Sequence, residues 1–88
     1  MKAVITVLGR DRTGIIAEVS GLLYRENVNI LDISQTILSD MFTMIMLVEI
    51  GEDARYDAVR EKLLKLAEDM ALEIRVQRSD IFDAMHRI

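Results

Sequence analysis

The sequence contains no cysteine, so neither a disulfide framework nor a thiolate metal site can organise it, and a reducing cytoplasm is the default compartment. Proline is also absent and only 4 glycines occur, so no linker stands out and the breaks between elements must come from changes of hydrophobic period. Tryptophan is missing, and 2 phenylalanines with 2 tyrosines offer few platforms for stacking bases or sugars. Charge of one sign is not concentrated: 11 basic residues are scattered among 15 acidic ones, and the net charge of −4 repels polyanions, which disfavours nucleic acid as a partner. The lone histidine, His86, has no second imidazole or thiolate with which to share a metal and reads as a surface residue. No apolar run approaches the ~20 residues of a membrane span, and the run after Lys2, Ala3 to Leu8, is too short for a signal peptide. With 88 residues and 51% hydrophobic content, the expectation is one soluble, complete domain over residues 1–88. A chain of that size buries roughly 60 to 65% of its unfolded surface.

What is present is a succession of six periodic segments. Ala3 to Leu8 is rich in β-branched residues and predicts a strand. From about Thr13 to Glu26, Ile15, Ile16, Val19, Leu22 and Leu23 fall on one helical stripe, and Asn27 is a stop signal. Val28 to Leu38 and Met41 to Ile50 predict a long hairpin around the Ser39-Asp40 turn. Gly51-Glu52-Asp53 introduces a second helix carrying Tyr56, Val59, Leu63, Leu66, Ala67 and Met70, with Glu61 and Lys65 spaced for a surface ion pair. Leu72, Ile74 and Val76 alternate with polar residues as a fourth strand. Ser79 or Asp80 can cap a short terminal helix, about residues 79–88, bearing Ile81, Phe82, Met85 and Ile88.

The order βαββαβ predicts an α+β, ferredoxin-like sandwich: a four-stranded antiparallel sheet with two helices on one face, plus the terminal helix. Phe42, Met44, Met46 and Val48 supply one side of the third strand, whereas Ile45 and Leu47 fall on the other, where a solvated face would be polar. That second side calls for a cover, either the terminal helix or a second copy of the chain, and a homodimer is expected. The methionine pair reads as core or interface filler and not as a soft-metal site.

The candidate site lies where the first strand meets the first helix. Gly9 and Gly14 bound the turn and permit positive φ and close approach of a ligand. With Thr13 as N-cap, the N–H groups of Gly14, Ile15 and Ile16 would form a free first turn suited to a small carboxylate, and Asp11 could accept from an ammonium. The same residues also suffice for a plain capped turn, and the glycine spacing lacks the lysine of a nucleotide P-loop. Asn29 is by itself an ordinary turn residue, Asp32, Ser34, Gln35 and Thr36 suit the exposed side of an edge strand better than a row facing a ligand, and Gly21 suggests close packing of helix one against another backbone.

The segment Val4-Ile5-Thr6-Val7-Leu8-Gly9-Arg10-Asp11-Arg12-Thr13-Gly14-Ile15 resembles the opening of an ACT domain, with its strand, D-R-x-G-[IV] turn and helix. Asn27-Val28-Asn29-Ile30 resembles the G-x-N-I start of that family's second strand. The likeness covers nearly the whole chain. It is strongest to the small stand-alone bacterial members and to the N-terminal regulatory domain of formyltetrahydrofolate deformylases. It implies a non-enzymatic regulatory domain with no cofactor, binding an amino-acid-like ligand where two copies meet. The implied ligand-binding residues are Asp11, Arg12, Thr13, Gly14 and Ile15 of one copy with Asn29 of its neighbour. Two departures bear on the ligand: Thr13 stands where many members have proline, and the charged Asp11 where some amino-acid binders have asparagine.

Rival readings lack their chemistry. Acylphosphatases share the strand order, but the position of their phosphate-gripping arginine holds Glu18. RNA recognition motifs share it too, but Met41 to Val48 lacks the required aromatic and basic positions. The remaining alternative is a ligand-free interaction module that regulates a partner enzyme or pairs with a different ACT subunit through its sheet face.

Overall fold

The computed structural model describes residues 1–51 and 54–78. Its elements are β1 (Lys2–Arg10), α1 (Ile15–Arg25), β2 (Val28–Leu38), β3 (Met41–Ile50), α2 (Tyr56–Met70) and β4 (Glu73–Arg78). The strands form one antiparallel sheet in the order β2-β3-β1-β4. This is the expected ferredoxin-like α+β arrangement. The expected terminal helix, with its Ser79 or Asp80 cap, lies outside the described residues.

Strict alternation builds the central strands. Ala3, Ile5 and Val7 of β1 and Phe42, Met44, Met46, Val48 and Ile50 of β3 all point to the helix layer and are almost wholly buried. The helices supply the complementary layer: α1 contributes Ile15, Val19, Leu22 and Leu23, and α2 contributes Val59, Leu63 and Ala67 at a spacing of four. Ile74 of β4 closes the core. Met44 and Met46, both about 1% exposed, are core side chains.

The ends of the elements differ in detail from the sequence-based expectation. β1 runs to Arg10, two residues beyond Leu8, because Gly9 and Arg10 stay paired with Phe42 and Met41. Gly9 lies in this ladder with ordinary negative φ, and a Cβ there would lie 2.5 Å from Leu72 Cδ2, so that leucine would have to shift its side chain to admit one. Gly21 meets no close backbone, and its nearest neighbour is the Arg25 guanidinium. Asn27 ends α1 in the left-handed conformation, φ 61°, as its amide-bearing side chain tolerates. The expected Glu61–Lys65 pair is not formed; Lys62 instead reaches across to Glu26 at 2.9 Å and ties α2 to the end of α1. α2 is preceded by extended Arg55 and has no side-chain cap.

Two local features generate tests. Ala71 ends α2 in the left-handed conformation (φ 55°) without the glycine that usually bears it. Relief of its Cβ clash outweighs glycine's extra chain entropy, so Ala71→Gly is expected to raise stability by about 0.5–1 kcal/mol in urea melts. Glu49 accepts from the Met1 ammonium at 2.8 Å, and this hydrogen bond holds its carboxyl below the ordinary value. The contribution of the pair is therefore present above the carboxylate range and lost as pH falls through the lowered value. An NMR pH titration should show Glu49 moving back up when the amine is acetylated.

Candidate ligand-binding site

The turn is placed by the sheet. Arg10 pairs with Met41, so the chain leaves β1 directly beside the β2–β3 hairpin, and the Asp11 N–H donates to the Asp40 carbonyl at 2.6 Å. An exposed contact between Arg10 Nε and Asp40 Oδ2, 3.7 Å, runs alongside it. Asp11, Arg12 and Thr13 are exposed and have no side-chain partner among the described residues.

The helix begins two residues later than the pattern predicts. Its N-cap is Gly14, at φ 97° and ψ −5°, and no side chain caps it, so Thr13 does not have the N-cap role expected of it. The left-handed Gly14 turns the chain so sharply that the Thr13 hydroxyl does not meet the first-turn amides. The Gly14 carbonyl accepts from Glu18 N–H at 2.9 Å and closes the first helical bond. The N–H groups of Ile15, Ile16 and Ala17 find no acceptor among the described residues, and a Cβ built on Gly14 would meet nothing within 4 Å. The result is an uncovered start to the helix with three outward N–H donors and the positive end of the peptide dipoles behind them. Ile15 contributes its backbone alone, because its side chain is 1% exposed in the core.

Asn29 lies elsewhere. It stands opposite Glu49 at the start of β2, whereas the turn sits at the strand's far end, beside Leu38 and Met41. Nine residues of strand separate the two ends, about 30 Å. One chain thus brings Asp11 through Ile15 together and leaves Asn29 apart. Around Asn29 is a shallow cleft of about 210 Å³ lined also by Tyr24, Asn27 and Val28. Tyr24, 84% exposed, falls off the apolar stripe of α1, so helical periodicity does not mark it. An aromatic beside two asparagines, away from the core face, was the available signal.

A second cleft, about 320 Å³, opens between the helices among Leu22, Arg25, Lys62, Lys65 and their neighbours, floored by the Lys62–Glu26 pair. Among the described residues no group of three histidine, aspartate or glutamate side chains could hold a metal ion. No described helix is long and apolar enough to cross a membrane.

The class so defined is the ferredoxin-like α+β domain whose first turn presents an uncovered helix start. The ACT domain model matches residues 2–77. The chain belongs to the ACT domain family, a family of regulatory domains. A UPF0237 protein of Methanopyrus kandleri is 47% identical over 88 residues, covering 99% of this chain and 98% of the relative. An ACT domain protein from Streptococcus pneumoniae superposes with a TM-score of 0.84 at 40% identity, over 98% of both chains. A formyltetrahydrofolate deformylase from Pseudomonas putida shares the fold over 88% of this chain and 28% of its own, with a TM-score of 0.80 at 11% identity.

The cap geometry is testable by substitution. Loss of a working threonine cap costs ~1 kcal/mol, so Thr13→Ala, which removes no bond, should change stability by less than about 0.5 kcal/mol. Gly14→Ala, which forces a Cβ into left-handed backbone, should cost about 1–2 kcal/mol in the same denaturant titration.

Proposed function

We propose that this chain is a regulatory domain with no catalytic step of its own, acting in the cytoplasm as a homodimer that binds a small amino-acid-like ligand. The ligand lies between the Asp11 to Ile15 turn of one copy and Asn29 of the other. One observation carries the reading: the D-R-T-G turn, the segment closest to the family's signature, opens onto helix N–H groups that no described residue satisfies. Those donors suit a carboxylate, and the unpaired Asp11 supplies the countercharge for an ammonium.

The edge strand supports the role of a second copy. β2 is exposed from Leu31 to Leu38 and contains neither proline nor lysine, the residues that usually protect an edge. Antiparallel pairing of two such strands about Ile33 sets Asn29 of one copy beside Ile37 of the other, at the strand end that borders that copy's turn. A ligand held there touches both chains, so its binding strengthens the assembled form, and an enzyme that reads assembly is thereby regulated. The same open edge favours a second reading, a ligand-free interaction module that pairs with another chain through its ladder.

A thermal-shift screen of amino acids and related metabolites tests both. A true ligand at 100 times its Kd should stabilise the protein by about 2.7 kcal/mol. Asp11→Ala and Asn29→Ala should each abolish that shift while leaving the unliganded melting temperature within a degree or two. A dimer by sedimentation with no shift from any metabolite favours the interaction module, and a shift unchanged in both variants places the site elsewhere.

A further inference from the structure

The open edge of β2 carries a two-fold pattern. Ile50 and Met1 exchange both backbone bonds, at 2.7 and 3.0 Å, so the even-numbered residues of β3 turn their N–H and C=O groups to β1 and the odd-numbered ones turn theirs to β2. On β2, the residues opposite the even ones are Val28, Ile30, Ile33, Gln35 and Ile37, and these turn their backbone groups outward to the free edge. The register shift between Ile30 and Asp32 absorbs Leu31, which spaces the five evenly along the strand with Ile33 at their centre. Turned about Ile33, the set matches itself: Ile33 meets Ile33 of a second copy, Ile30 meets Gln35, and Val28 meets Ile37. An edge that is its own complement singles out a second copy as its partner.

The two halves of this edge are covered unequally. All five side chains lie on the helix side of the sheet, opposite the buried Ile50, Val48, Met46, Met44 and Phe42. α1 ends just before β2 begins and is about 16 Å long, against roughly 35 Å for the strand, so it covers the start of β2 and leaves the far end bare. Val28 is accordingly 7% exposed, whereas Ile33 is 46% and Ile37 48% exposed. Beside Val28 opens the cleft of about 210 Å³ that Tyr24, Asn27 and Asn29 also line. We propose that this cleft receives Ile37 of a second copy, so that the bare end of each edge strand seats against the α1 end of the other, once at each end of the seam. The proposal rests on the homodimer proposed above and on no ligand. It gives the largely exposed Tyr24 ring an apolar neighbour, in keeping with the enrichment of aromatic residues where two chains exclude water.

The test uses the full-length protein without added metabolite. Sedimentation equilibrium should give a dimer. In a mixture of labelled and unlabelled copies, isotope-filtered NMR should show contacts between the Ile37 δ-methyl of one copy and the Tyr24 ring of the other. Ile37→Asp, which brings a carboxylate into the seat, should weaken the dimer by about tenfold or more. Ile45→Thr, at a residue equally exposed on the opposite face of the sheet, should leave the dimer as strong as before. A monomer at high concentration would remove the pairing itself and the seat with it. A dimer that lacks the Ile37–Tyr24 contact, or that is weakened by Ile45→Thr and not by Ile37→Asp, would overturn the seat alone. Because the contact is read in the unmutated protein, a variant that fails to fold leaves the test intact.

Discussion

The position of β1 in the middle of the sheet is the constraint on which the rest depends. It is hydrogen-bonded on both sides, to β3 from Lys2 to Arg10 and to β4 from Ala3 to Leu8, and its inward side chains are completely buried. Its direction therefore cannot drift. Since the turn follows without a break from the last paired residue, the starting point and heading of α1 are inherited from that double ladder. The Asp11–Asp40 backbone bond then anchors the turn to the neighbouring hairpin. A helix start left without a side-chain cap remains well placed because the sheet, and not the cap, determines where it lies.

Much of the architecture was legible because its signals were periodic. β3 alternates without interruption, α2 repeats at four residues, and both ends of β2 matched their turn signals. The misreadings fall where a local signal competes with tertiary geometry. Thr13 has the residue type of a cap, but Gly14 takes the left-handed conformation and displaces the helix start beyond the reach of its hydroxyl. Gly9 has the residue type of a turn, but it stays in the β1 ladder against the end of the Leu72 side chain, a neighbour that no local pattern encodes. Of the candidate site, Asp11 to Ile15 are consecutive and so lie together in any fold; what the residue types did not convey is that Gly14, not Thr13, begins the helix. The separation of Asn29 from it depends on strand order and direction, not on spacing along the chain.

That separation shapes what a single copy can do. The turn offers donors and one free carboxylate, and the cleft near Asn29 offers amides and an exposed ring; neither encloses a molecule by itself. Surfaces this open leave a small molecule largely in water, whereas ligand pockets bury most of what they hold. On the function proposed above, a second copy completes the site, which would tie occupancy to association without any moving part inside the fold.

The two borders of the sheet are unequal, and this sets a limit on growth. β2 offers eleven residues of largely uncovered ladder, while β4 offers six, with Glu73, Arg75, Gln77 and Arg78 along an exposed surface. A domain with two inviting borders could add copies head to tail into a fibre. With one, a two-fold union uses up the inviting border of both copies and stops. On the proposed two-fold pairing, the same asymmetry would protect a small, strand-rich protein from open-ended polymerisation.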